Sequence, residues 1–377
     1  MEKPHALHCK KRRECFAQIL QEQHIAAAIF EDTEGRRDPA VSYFTGHPGD
    51  AVLVINAKAE SILCPWDENL AAMMADADKI IPLTKFSRNT LAAIKSVLQK
   101  LHIQEGARID ISPSTPYPQF LKYVDALPSC NVLCRETGSH ASATKMRAIK
   151  DFYEISCIRE ACRVADSLIN QIEEEIKNGK LQTETDVALL IEKECRIAGC
   201  QGTGFETLVA NPSRSFGIHC FPPYTAEKFP MEGLSIIDFG VKKDGYTSDV
   251  TVTFVNGKIS SEQEKQIDLV QKAYNAALEL YKNDVPIQAA AIKADSIFSK
   301  AKTAMPHSLG HGIGLEAHEY PTIKPSVPCD ELFLPGMVVT LEPGLYNPAT
   351  GGCRLENDIL ITKNGNEVLT HSRIIRL

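Results

Sequence analysis

The stretch IIDFGVKKDGYTSDVTVTF, residues 236–254, decides the reading of this chain. Two apolar, β-prone runs flank KKDG, and each holds an aspartate. Asp238 sits among Ile236, Ile237, Phe239 and Val241, and Asp249 beside Val250, Val252 and Phe254. Asp244-Gly245 marks a hairpin, because glycine accepts the positive φ that tight turns require. Whether the loop spans 242–245 or only 243–244, its axis falls between residues 243 and 244. Asp238 and Asp249 then lie directly opposite each other on one face. Cross-strand partners have Cβ atoms about 5 Å apart, and like charges placed there destabilise a sheet. A divalent cation between them resolves the conflict, since hard carboxylate oxygens suit it. A slipped register, with one aspartate in solvent, is the alternative that the hairpin alone leaves open.

The rest of the chain sets bounds. Its 377 residues suggest two domains with ample length for buried cores. Hydrophobic residues make up 44% and charged residues 24%, the profile of a soluble globular protein. A net charge of −7 argues against nucleic acid as a partner. The basic run KKRR at 10–13 reads as the solvated start of a helix. No run approaches the roughly 20 apolar residues that span a bilayer, so no membrane partner is expected. The start of the chain lacks the apolar segment of a secretory signal. Twelve cysteines without a C-x-x-C pair fit a reducing compartment, and a cytoplasmic location is expected.

Residues 1 to about 135 alternate helix-like and strand-like segments, as in ECFAQILQEQ, AAAIFED, AVLVINA, ESILCPW and NTLAAIKSVLQKL, which indicates a small α/β unit. The polar, small-residue stretch RETGSHASATK, 135–145, reads as a linker. Beyond it, helices are expected over 148–177 and 184–198, from a capping box at Ser261 and Glu264 to about 282, and over the segment IQAAAIKADSIFSKAKTA. Strand material at 205–210, 235–255 and 337–362 separates the helix pairs. The second domain therefore reads as helix, helix, sheet, repeated once.

Three further stretches look chemical. MPHSLGHGIGLEAHEYP, 305–321, holds His307, His311 and His318 among alternating glycines, which favour extended backbone in close approach to something. MVVTLEPGLY, 337–346, ends a β-prone run in Glu342. CRLENDILIT, 353–362, places Arg354, Glu356 and Asp358 on one face of a strand. Taken singly, each carboxylate reads as a solvent-facing charge, with Arg354 neutralising Glu356. Taken together, Asp238, Asp249, His311, Glu342 and Glu356 put four carboxylates and one imidazole in or beside buried-looking strands. That is too much negative charge to bury without cations. Four carboxylates suit two divalent ions, and the oxygen-rich set favours manganese, cobalt or zinc.

These four stretches, in this order, resemble the pita-bread metallopeptidases, a family that includes methionine aminopeptidase, aminopeptidase P and prolidase. The resemblance covers roughly 146–377. VSYFTGH at 41–47 is similar to the creatinase-type N-terminal domain, which accompanies the Xaa-Pro branch. Residues 1–140 are thus expected to form a creatinase-like α/β domain and 141–377 an α+β pita-bread catalytic domain. The resemblance implies that Asp238, Asp249, His311, Glu342 and Glu356 bind two divalent metals, manganese foremost. It implies that His219 and His318 act on the substrate, that Glu342 shuttles a proton, and that His307 and Arg354 help bind. It implies a peptide or dipeptide substrate with proline second, and a homodimer. Val252 stands where the family often has arginine, and Glu356-Asn357 replaces the usual Glu-Asp. Three alternatives remain open: an aminopeptidase of other specificity, a metal-free creatinase-like amidinohydrolase, and a non-catalytic binding protein on the same fold.

Overall fold

The computed structural model describes residues 5–377. The chain forms two compact units, one ending at Arg147 and one running from Ala148 to Leu377. The sequence places the boundary at 140/141 and a linker over 135–145, whereas Ser139–Ala148 is helical. Its small residues Ala141, Ser142, Ala143 and Thr144 fit a helix as well as a loop, and composition alone does not separate the two.

The first unit is α/β. Its six-stranded sheet runs in the order Lys79–Ile80, Ser61–Pro65, Ala51–Asn56, Ala27–Asp32, Arg108–Ile111, Asn131–Cys134. Ala27–Asp32 pairs antiparallel with Ala51–Asn56 and parallel with Arg108–Ile111. Ile29, Val52, Val54, Ile94 and Val97 fill the core between sheet and helices. The KKRR run is only half solvated. Lys10 and Lys11 are exposed, whereas Arg12 and Arg13 are buried in the helix Ala6–Glu22. Arg12 donates to the carbonyl of Tyr43 at 2.8 Å and Arg13 to that of Phe44 at 2.7 Å. Both carbonyls lie in the last turn of the helix Pro39–Thr45, where they have no partner inside that helix. Two buried guanidiniums thus supply the donors that water would otherwise supply.

The second unit is α+β and runs helix pair, sheet, helix pair, sheet. The helix Phe152–Lys177 opens on a capping box between Asp151 and Glu154 and buries a stripe of Ile158, Ala161, Val164, Ala165, Leu168 and Ile172. The helix Glu184–Ile197 follows. Together they cover a four-stranded sheet ordered Ile374–Arg376, Val250–Asn256, Gly233–Phe239, Leu208–Ala210. The helices Ser261–Leu278 and Ile287–Lys300 come next, the first capped by Ser260 and Gln263, one position before the expected pair. They share a core with a five-stranded sheet ordered Glu319–Ile323, Gly310–Gly312, Val338–Leu341, Asn357–Thr362, Gly365–Val368. This is the pita-bread architecture, with the candidate side chains on strands of both halves.

The hairpin departs from its expected register. Asp238 pairs with Thr251 and Phe239 with Val250, and beyond the bend Lys243 pairs with Tyr246. The turn is therefore Asp244-Gly245, at φ 49° and 87°. Two positive-φ residues are what a two-residue turn matched to the strand twist needs. The axis moves to between 244 and 245, and the partner of Asp238 moves by two positions. A shift of two preserves the face, so Asp238 and Asp249 stay on one side as diagonal neighbours rather than direct partners. Asp249 lies one residue before its strand begins.

Candidate metal centre

The carboxylates converge from three places. Asp238 comes from a central strand, Asp249 from the entry to its neighbour, and Glu342 and Glu356 from strand ends in the second half. His311 sits in Gly310–Gly312, which is extended as the alternating glycines predict. A Cβ at Gly310 would stand 2.1 Å from the Thr340 carbonyl oxygen, and one at Gly312 2.3 Å from that of Tyr320. Only glycine lets the two flanking strands close on His311 from both sides.

The imidazole is oriented. Nδ1 of His311 lies 3.1 Å from the Gly312 carbonyl, so it carries the proton and donates. That leaves the Nε2 lone pair pointing at Glu342 Oε1, 3.4 Å away, and Asp249 Oδ2, 3.8 Å away. Asp249, His311 and Glu356 are buried and each offers a ligand atom, all within 4.8 Å of one another. Thr251 donates to Glu356 Oε2 at 2.6 Å. Asp238 is turned toward Arg354, whose Nη2 donates to Oδ2 at 2.6 Å, and its Oδ1 is buried without a hydrogen-bond partner. Arg354, 2% exposed, therefore pairs with Asp238 rather than with Glu356.

The electrostatics express the crowding. Burial, then the neighbouring carboxylates Glu356 and Asp238, push Asp249 well above the usual range. Burial and Glu356 do the same to Glu342. Burial and Asp238 push Glu356 up to about 7. Burial lowers His311 to about 4, with His318 adding to the effect. A group of four acids, Asp249 and Glu356 buried and Asp238 and Glu342 half-buried, with one guanidinium among them is short of positive charge. Hard oxygens, a neutral imidazole with a free lone pair and an unpartnered carboxylate oxygen fit divalent cations.

The centre opens on a cavity of about 360 Å³ lined by Asp238, Asp249 and Glu356 together with His219 and His318. The His318 ring lies 4.2 Å, centroid to centroid, from that of His311. His307 belongs to a different wall. Its Nδ1 meets the Ser308 carbonyl at 2.8 Å and its Nε2 the Tyr346 hydroxyl at 3.0 Å. Arg354 Nη1 donates to that hydroxyl at 2.7 Å, which leaves the tyrosine proton for His307. Burial and Arg354 lower His307 to about 4, so it accepts that proton as a neutral ring.

Four contributors escape the sequence reading. Tyr346 stands in LEPGLY, yet nothing local marks its hydroxyl as the link between His307 and Arg354. Thr251 accepts from Arg354 Nε at 2.9 Å while it donates to Glu356. Asp358 is fully buried, and its Oδ2 accepts the Asp249 backbone N–H at 2.9 Å and the Cys162 thiol at 3.4 Å. Glu319 accepts the N–H groups of Leu315 and Glu316 and pairs with Lys150 at 3.3 Å, with side chains 3% and 1% exposed. It thereby braces the loop that carries His318.

Centres of this kind belong to hydrolases that work through bound divalent cations, and similarity to known proteins narrows the class. Residues 156–363 match the model of metallopeptidase family M24 and residues 12–137 that of the creatinase/prolidase N-terminal domain. The chain belongs to metallopeptidase family M24. It is 30% identical over 344 residues to an Xaa-Pro dipeptidase of Pyrococcus horikoshii, covering 89% of this chain and 91% of that one. Among solved structures it is similar to a prolidase from Pyrococcus furiosus, with TM-score 0.80 and 26% identity over 95% of this chain and 99% of the other. It is also similar to an X-Pro aminopeptidase from Thermotoga maritima, with TM-score 0.84 and 25% identity over 97% and 99%.

Proposed function

We propose that this chain hydrolyses the peptide bond between an N-terminal residue and a following proline. The observation that carries the reading is the convergence of Asp238, Asp249, His311, Glu342 and Glu356 beside the His307–Tyr346–Arg354 network. Similarity along both domains to proteins named as prolidases and Xaa-Pro peptidases supports the choice of bond. Two divalent cations held by those five side chains, manganese first with cobalt and zinc as alternatives, would supply an acidified water and a polarised carbonyl.

The chain's own residues do the rest. His219 and His318, on the cavity wall, hold the peptide and donate to the carbonyl oxygen as it gains charge. Glu342, whose carboxyl burial and Glu356 push well above the usual range, is placed to pass a proton to the leaving nitrogen. A proline nitrogen in a peptide bond is tertiary, so it cannot depart without that proton. Arg354, fixed by Asp238, Tyr346, Thr251 and the Ile218 carbonyl, holds Tyr346 and through it His307 against the substrate. His307 and the segment 318–321 form the narrow wall that a ring without an N–H can use.

A homodimer and a cytoplasmic location complete the proposal. No helix among the described residues is long and apolar enough to cross a membrane. The deciding experiment compares hydrolysis of Ala-Pro, Ala-Pro-Ala and Ala-Ala-Ala by protein loaded with manganese, cobalt or zinc. Cleavage of either proline peptide well above Ala-Ala-Ala supports the reading, and the first two rates separate dipeptidase from aminopeptidase. Equal rates on all three would replace it with a general aminopeptidase.

A further inference from the structure

We propose that the cavity beside the metal centre selects a basic first residue, lysine or arginine, and that Glu206 is the residue that selects it. The inference rests on the Xaa-Pro reading above. None of His307, Tyr346 and Arg354 lines this cavity, and of the residues assigned to the proline only His318 reaches it, which leaves the wall away from His318 to the first side chain. The cavity, about 360 Å³, falls in the range of small-molecule pockets.

Its chemistry is specific. Phe205, Leu208, Phe221 and Pro223 give it apolar sides, and Phe221 is 92% exposed, an open aromatic face at the mouth. Apart from the carboxylates of the metal centre, Glu206 is the one acidic residue in the lining, and no arginine or lysine lines the cavity. Glu206 is exposed and makes no hydrogen bond or ion pair with any described residue. A wall that is apolar along its length and acidic at its rim matches a side chain with an aliphatic stem and a cationic head. The stem lies along Phe205 and Leu208 while the head stays hydrated beside the carboxylate. The exposed ring of Phe221 adds a face that attracts a cation. The same arrangement repels an acidic first residue.

The test measures kcat/KM of the manganese-loaded full chain on Lys-Pro-Ala, Met-Pro-Ala and Glu-Pro-Ala. Methionine matches the length of the lysine stem without its charge. Wild type should prefer lysine over methionine by about twofold to fivefold, the scale of one solvent-exposed charge pair, with glutamate last. Glu206→Gln should bring the lysine-to-methionine ratio near one, and Glu206→Lys should invert it. Ratios within each variant cancel any loss common to all substrates. The wild-type ratio should also fall as salt is raised, because exposed charges are screened. Equal ratios in wild type and both variants overturn the proposal. So does a wild-type ratio that ignores salt, which decides the matter if a variant does not fold. Cleavage of none of the three, with Ala-Ala-Ala still cleaved, overturns the Xaa-Pro reading itself.

Discussion

The pair Lys150–Glu319 offers the sharpest test of how the site is supported. Both side chains are almost fully buried and 3.3 Å apart, joining the first residues of the catalytic unit to the strand that follows His318. Lys150→Met removes the ammonium and keeps most of the volume. The Glu319 charge then stays buried on the N–H groups of Leu315 and Glu316. Breaking one side of a buried pair costs about 3–5 kcal/mol, and the remaining N–H donors favour the lower figure. With a urea m-value of about 3 kcal/mol/M, a loss of about 3 kcal/mol lowers the unfolding midpoint by about 1 M. Glu319→Gln keeps an acceptor for Leu315 but strands the Lys150 charge, so it should cost a similar amount. The double variant removes both charges and should lose less than the sum, with a coupling of about 1–3 kcal/mol. Urea unfolding of metal-free protein, followed by circular dichroism, reads all four corners of the cycle. A Lys150→Met midpoint within about 0.2 M of wild type, or strictly additive variants, refutes the reasoning.

Three further outcomes follow from the geometry. Asp249→Asn removes a charge from the centre of the cluster, so the purified variant should bind less metal by emission spectroscopy and lose turnover; full loading with normal turnover would show that Asp249 is no ligand. His311→Ala should lose metal, whereas His318→Ala should keep it and lose about 100-fold to 1,000-fold in kcat, the scale of one oxyanion donor. Equal metal loss in both would exchange or erase their assigned roles. Thr251→Val is nearly isosteric but deprives Glu356 of a donor and Arg354 Nε of an acceptor, so metal affinity or kcat/KM on Ala-Pro-Ala should drop about 10-fold to 100-fold. A value within twofold of wild type would mean the threonine merely fills space.

The candidate ligands are legible in the sequence for one physical reason. Asp238, Asp249, Glu342 and Glu356 each interrupt or end an apolar, β-prone run, and His311 sits among glycines. A charge there is costly unless something compensates it. Register was not legible to the same degree. Asp244 and Gly245 both adopt positive φ, whereas the composition of KKDG fits more than one loop. The face survived because the error was two residues and side chains alternate with a period of two. The burial of Arg12 and Arg13 is not legible in KKRR, because a basic run signals solvent only when nothing nearby needs donors, and the ends of helices do. Tyr346, Thr251, Asp358 and the Lys150–Glu319 pair act across 8 to 169 positions of sequence. Tyr346 meets His307 and Arg354 within the second half, whereas the partners of Thr251, Asp358 and Lys150 come together only once the two halves of the catalytic unit are folded.

That last point reaches beyond the site. Asp238 and Asp249 precede the connection at 257–260, while His311, Glu342 and Glu356 follow it. Expressed as two separate fragments cut in that connection, neither piece would own a complete ligand set. Retained metal would then report reassociation of the fragments, and the ion becomes a gauge of whether the halves have found each other. On the proposed ligand set, metal retention would also indicate partial opening in the intact chain, since an excursion that parts the halves would release a bound ion before either half unravels.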